Sequence, residues 1–131
     1  MMLTALLFGG CRKEQQGVPY VYVNLTIYIN DPQNIELTTV GGWKFFSGGY
    51  NGLIVYRKSP GEFMVYDRAC PVHPDESGTQ IEVDGSNVIL YDDVCNSQFL
   101  FSDGSTIGGP AIIPLTHYPN TFDGSTLRVI N

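Results

Sequence analysis

From Val21 onward the chain alternates. Val21, Val23, Leu25, Ile27 and Ile29 are apolar, and Tyr22, Asn24, Thr26 and Tyr28 fall between them. A period of two marks a strand with one buried face, because successive side chains leave a pleated strand on opposite sides. Ile35 to Val40 and Leu53 to Arg57 read as strands for the same reason. Ser59-Pro60-Gly61-Glu62 is a turn that returns the chain into Phe63-Met64-Val65-Tyr66, so a hairpin is expected to lead into Cys70. Asp84-Gly85, Asp103-Gly104 and Asp123-Gly124 each separate β-prone runs, and Asp-Gly tolerates the positive φ angles of tight hairpins. No amphipathic window of about 10 to 12 residues survives the Gly and Pro spacing, so no helix is expected. The pattern predicts an all-β chain.

Composition narrows the function. A length of 131 residues is that of one domain able to bury a core without help from metals or many disulfides. Charged residues are 15% of the chain, against roughly 25% in an average soluble domain. The net charge of −6, with Lys and Arg scattered singly, leaves no basic stripe to track phosphates, so a nucleic-acid partner is excluded. Ser-His-Asp constellations, Gly-rich phosphate loops and zinc-protease helices have no counterpart in the chain, and an enzyme is not expected.

The first residues have a different character. Leu3-Thr-Ala-Leu-Leu-Phe8 is an apolar run that ends in Gly9-Gly10-Cys11, with Arg12 and Lys13 directly after. This segment resembles a bacterial lipoprotein signal, in which small residues precede a cysteine that is lipidated and becomes the mature N-terminus. The resemblance implies a signal segment over 1–11, lipidation at Cys11, a tether over 12–19 and a folded domain over 20–131. The protein is then expected in the bacterial cell envelope, extracytoplasmic and attached to the membrane by lipid. No apolar stretch approaches the ~20 residues of a membrane-spanning helix.

The second half carries the chemistry. Cys70-Pro-Val-His73 is followed by Asp92-Asp-Val-Cys95-Asn-Ser-Gln-Phe99 and then by Gly108-Gly109-Pro110-Ala111. That order resembles a Rieske iron-sulfur domain, which carries Cys-x-His in one loop and Cys-x-x-His-Gly-Ser-x-Phe in a second, with Gly-Pro-Ala closing over the cluster. Asn96-Ser97-Gln98-Phe99 fits the tail of the second motif, and the resemblance covers about residues 60 to 131. It implies an all-β, Rieske-like sandwich or barrel base carrying a smaller cluster-type subdomain from about Tyr66 to Leu115. Gly109, Pro110 and Ala111 would form the loop covering the site.

The ligands depart from that family. With Ser97 and Phe99 in register, Cys70 keeps the first cysteine slot and Asp92 takes that of the second. Cys95 takes the slot of the second histidine. Val72 falls where the first histidine belongs, and His73 comes one residue late. A second register makes Cys95 the second cysteine and Gln98 the last ligand, but throws Ser97 and Phe99 out of phase.

A Rieske centre needs two thiolates on one iron and two imidazoles on the other. Cys70, His73, Asp92 and Cys95 would be a hard and unusual mixture for it. Without a cluster, and in an oxidising compartment, Cys70 and Cys95 are expected to form a disulfide, contributing roughly 3 kcal/mol by loop-entropy arithmetic. The same four residues could also make a tetrahedral zinc set.

Other suggestive residues have plainer readings. His117 reads as a strand residue, Asp92-Asp93 as hydrated loop carboxylates, and Trp43, Phe45 and Phe46 as core aromatics. The leading expectation is a non-catalytic binding or structural module without a cofactor, serving an envelope protein whose identity the sequence does not reveal. The alternative is an electron-transfer protein holding a modified [2Fe-2S] cluster on Cys70, His73, Asp92 and Cys95.

Overall fold

The computed structural model describes residues 17–75 and 78–131. The signal segment, the lipidation site Cys11 and tether residues 12–16 lie outside the described residues. Among the described residues ten strands form three antiparallel sheets. The first sheet orders β1 (Asn24–Tyr28), β10 (Thr126–Ile130) and β9 (Asn120–Phe122). The second orders β2 (Trp43–Phe46), β3 (Leu53–Ser59) and β4 (Glu62–Asp67). The third holds β5 (Glu82–Val83), β6 (Ile89–Tyr91), β7 (Gln98–Leu100) and β8 (Thr106–Gly108) in chain order.

The middle sheet explains the most apolar runs. Leu53, Val55, Phe63 and Val65 face one core, shared with Ile27, Leu127 and Val129 of the first sheet. Ile54 and Tyr66 face a second core, shared with Leu90, Phe99 and Phe101 of the third sheet and its turn. A strand buried on both faces has no polar side to show, so Leu53-Ile54-Val55 and Phe63-Met64-Val65-Tyr66 are continuous rather than alternating. β1 has one face on the core and keeps the alternation: Ile27 is buried while Asn24, Thr26 and Tyr28 are exposed. Burying each such Leu, Ile or Val contributes about 2 kcal/mol.

The smaller subdomain leaves and rejoins the base at one point. Asp67 N–H donates to Thr116 O at 2.9 Å, Tyr118 N–H donates to Val65 O at 2.8 Å, and Tyr66 pairs with His117 in an isolated bridge. Everything between Asp67 and Thr116 is thus an excursion from β4, closed beside it by the returning strand. Asp67 locks the exit. Its buried carboxylate accepts from the N–H groups of Tyr50, Asn51 and Ala69 at 2.5, 3.0 and 2.9 Å, and from Tyr118 Oη at 2.7 Å. Gly49 approaches this carboxylate so closely that a Cβ there would lie 2.5 Å from Asp67 Oδ2, and its φ of +65° suits glycine. Burial, with the bond to Asp67 adding to it, holds the Tyr118 phenol above its usual pKa.

The hairpin expected to lead into Cys70 is present as β3 and β4, with Pro60 and Gly61 between them. The three Asp-Gly turns also lie where hairpins were expected, and each is an Asx turn. Asp84, Asp103 and Asp123 each accept, through Oδ1, from the N–H of the serine two residues on, at 2.9 Å in all three. In the first turn the left-handed residue is Asn87, φ 62°, rather than Gly85.

The strand expected over Ile35 to Val40 is instead 3-10 helix, Pro32–Thr38, broken at Asn34. Pro32 presets φ at the start and Asp31 caps the turn by accepting from Gln33 N–H at 2.9 Å. Only Leu37 of this stretch is buried, while Ile35 and Val40 face outward. Its apparent alternation is therefore accidental. Among the described residues no helix is long and apolar enough to cross a membrane.

Candidate metal centre

Two loops of the smaller subdomain meet at their tips. The first follows β4. Cys70 O accepts from His73 N–H at 3.2 Å, a four-residue turn with Pro71 at its second position, where a fixed φ is favoured. The turn folds His73 back beside Cys70, which offsets the one-residue delay in the sequence. Val72, in the slot where the family pattern has histidine, is half-buried against the second core.

The second loop joins β6 to β7 and is organised by Asp92. Asp92 Oδ1 accepts from Val94 N–H at 2.8 Å and Cys95 N–H at 3.3 Å, while Asp92 O accepts from Asn96 N–H at 2.9 Å. Asn96 takes a left-handed φ of 64°, which asparagine tolerates better than most side chains. The turn leaves Asp92 Oδ2 pointing across to the first loop, 3.2 Å from His73 Nε2. Oδ2 is buried and, among the described residues, accepts from no backbone N–H, facing instead His73 and the Cys70 side.

One ligand atom from each of Cys70, His73, Asp92 and Cys95 therefore gathers in a single cluster, all within 4.8 Å of one another. Cys70 and Asp92 are buried, and His73 and Cys95 half-buried. Desolvation is the main cause that pushes the Cys70 thiol up to about 12, with the Asp92 and Cys95 charges adding to it and a hydrogen bond from the Val72 backbone opposing it. The Cys70 thiol is thus poorly ionised without a cation beside it.

The disulfide expected between Cys70 and Cys95 is not formed. The two Sγ atoms stand 4.0 Å apart and both residues are free thiols, against an S–S bond of about 2.05 Å. Cys95 is held instead by contacts on its own side of the site. Cys95 Sγ lies 3.1 Å from Ser97 Oγ, and the same buried oxygen accepts from Ala111 N–H at 3.1 Å. Ser97 so joins the second loop to the Gly109-Pro110-Ala111 segment. Gly109, φ +79°, packs where a Cβ would lie 2.5 Å from Ser97 Cα. Gly109 and Pro110 are exposed while Ala111 is buried, so this segment braces the loop that carries Cys95.

The remaining candidates lie elsewhere. Gln98 is exposed in β7, paired with Tyr91 and Gly108. His117 stays at the base junction, its ring 6.0 Å from that of Tyr66. Asp93 is exposed and outside the cluster. Trp43 and Phe45 pack on the second core and Phe46 on the first.

Two features had no expectation attached. They are the buried Asp67 corner and the role of Ser97 as a hydroxyl shared between sulfur and covering loop. An Asp directly after an apolar run was the only sign of the first.

A two-iron core is two tetrahedra sharing an edge. Ligands on opposite irons must then stand more than about 5 Å apart, given metal-ligand distances near 2.3 Å. Four of the six ligand pairs would have to meet that condition, and here every pair is closer. As they stand, the four donors do not fit a [2Fe-2S] core.

No protein-family profile matches the chain, and no curated protein does. Among solved structures the chain is similar to the ferredoxin of carbazole 1,9a-dioxygenase from Nocardioides aromaticivorans. The TM-score is 0.52 at 14% identity, covering 85% of this chain and 98% of that one. The likeness concerns the fold, and with the three sheets it makes the architecture all-β and Rieske-like.

Proposed function

We propose that this chain is a Rieske-type domain that has given up its iron-sulfur cluster and serves as a non-catalytic binding or structural module, lipid-anchored at Cys11 in the bacterial cell envelope. The observation that supports the first part is the compactness of the donor set: four ligand atoms lie within 4.8 Å of one another, closer than ligands on opposite irons of a two-iron core stand. The donors agree with this. Against the two thiolates and two imidazoles of a Rieske centre, the chain offers two thiols, one imidazole and a carboxylate. The anchoring rests on the Gly9-Gly10-Cys11 pattern, and the partner is another envelope protein rather than nucleic acid.

The rival reading is an electron-transfer protein with a modified [2Fe-2S] cluster on Cys70, His73, Asp92 and Cys95. The likeness to a ferredoxin favours it, and it requires the two loops to part. Visible absorption with iron and acid-labile sulfide analysis separates the two. Anaerobically purified protein is expected to be colourless and free of sulfide. Brown protein with iron and sulfide in equal, stoichiometric amounts would overturn the cluster-free reading.

A further inference from the structure

We infer that the two loop tips hold a single tetrahedral divalent cation, of the zinc class, through Cys70, His73, Asp92 and Cys95; this rests on the cluster-free reading of the same site. Around one ion, two sulfurs at about 2.3 Å are about 3.8 Å apart, and a nitrogen and an oxygen at about 2.1 Å are about 3.4 Å apart. The structure places the sulfurs 4.0 Å apart and His73 Nε2 3.2 Å from Asp92 Oδ2. Two of the six edges of the tetrahedron are therefore close to length, and the four edges from sulfur to nitrogen or oxygen, about 3.6 Å around such an ion, lie within 4.8 Å.

The surroundings are those of a ligand set. The carboxylate of Asp92 is divided, with Oδ1 spent on the backbone of its own loop and Oδ2 buried and aimed at the other ligands. Cys95 Sγ is steadied by Ser97 Oγ. Such outer contacts fix ligand orientation at metal sites. Two thiolates, one carboxylate and a neutral imidazole around a dication sum to −1, with the surrounding N–H and hydroxyl donors to spread that charge.

Softness selects the ion. Two sulfurs with a nitrogen and an oxygen in a tetrahedral cage suit Zn2+ far better than Mg2+ or Ca2+, which want six or more oxygens. The site is also closed. The Asp92 side chain is 1% exposed and that of His73 16%, and all four positions are filled by protein. Structural zinc sites have this form, whereas catalytic ones keep an open position. The ion would thus join two loops that no disulfide joins.

The test uses the full chain, purified without chelator, with metal analysis, thiol counting, sulfide analysis and a Co2+ titration. One zinc per chain and two thiols protected from alkylation until chelator is added are expected. Co2+ should give the intense visible bands of tetrahedral thiolate coordination. Asp92→Asn should weaken Co2+ binding about 100-fold or more, with Cys95→Ser as a second variant if the first does not fold. A Cys70–Cys95 disulfide without metal, or free thiols and no tetrahedral Co2+ spectrum, overturns the inference and leaves the cluster-free reading standing. Stoichiometric iron and sulfide overturn both.

Discussion

Two buried carboxylates, Asp67 at the exit from the base and Asp92 in the second loop, live under opposite conditions. Asp67 has both oxygens occupied, by three backbone N–H groups and the Tyr118 hydroxyl. Asp92 has one oxygen occupied by its own loop and the other turned to His73 and the two thiols. Burial is nearly the same, 0% and 1% exposed. What differs is how the negative charge is met. At Asp67 the fold supplies every partner, so the group organises structure. At Asp92 the fold supplies backbone partners for one oxygen and leaves the other among His73 and the thiols, the arrangement on which the proposed metal site rests.

The same contrast runs through the regions that hold them. The base has strands of up to seven residues and a core of Leu, Ile, Val and Phe that includes Leu37, Leu53 and Leu127. The smaller subdomain has strands of two or three residues and buries Arg68, Asp92 and Ser97 near its loops. Its tips owe their shape to hydrogen bonds from side chains rather than to sheet ladders.

The largest effect should come from breaking the satisfied corner. Asp67→Ala orphans the N–H groups of Tyr50, Asn51 and Ala69 and the Tyr118 hydroxyl, and is expected to cost about 4 kcal/mol. Urea unfolding would show this equally with and without chelator. A loss that vanishes in chelator would merge the two carboxylates into one class.

Asp92→Asn is the sharper counterpart. In chelator its amide oxygen can still accept from Val94 and Cys95, so about 1 kcal/mol or less should be lost. In the presence of Zn2+ the wild-type chain should gain a stability that the variant does not. An equal loss in both conditions would make Asp92 a second Asp67.

The smallest effect belongs to the exposed Asx turns, which bind nothing buried. Hydrogen bonds from the backbone of Ser105, and from Thr126 and Ser125, hold the Asp103 and Asp123 carboxyls below their usual range. A lowered folded pKa means stability that is complete above the unfolded value and lost as pH falls through the folded one. Between about pH 5 and about pH 3 the urea midpoint should therefore fall less in an Asp103→Asn, Asp123→Asn variant than in the parent. A parallel fall in the two proteins would show that these turns carry no part of the acid sensitivity.

Much of this was legible in the residues because it is local. Alternation in Val23 to Ile29, the continuous runs that become β3 and β4, and three Asp-Gly-Ser turns are decided within a few positions by side-chain direction and φ. The order Cys70, His73, Asp92, Cys95, Ser97, Gly109-Pro110-Ala111 made the architecture recognisable for the same reason. Ile35 to Val40 misled because period two over six residues is weaker than a proline start and a capping aspartate.

By itself the sequence determined an all-β chain, its turns, and which four side chains could meet. Only the tertiary structure decided that His73 turns back through Pro71 to reach them, that Ser97 and Ala111 hold the second loop in place, and that the two sulfurs stand 4.0 Å apart without bonding. Those outcomes depend on contacts between residues far apart in the chain, where a difference of one or two ångströms separates a bond from a gap. Residue order contains no measure of that distance.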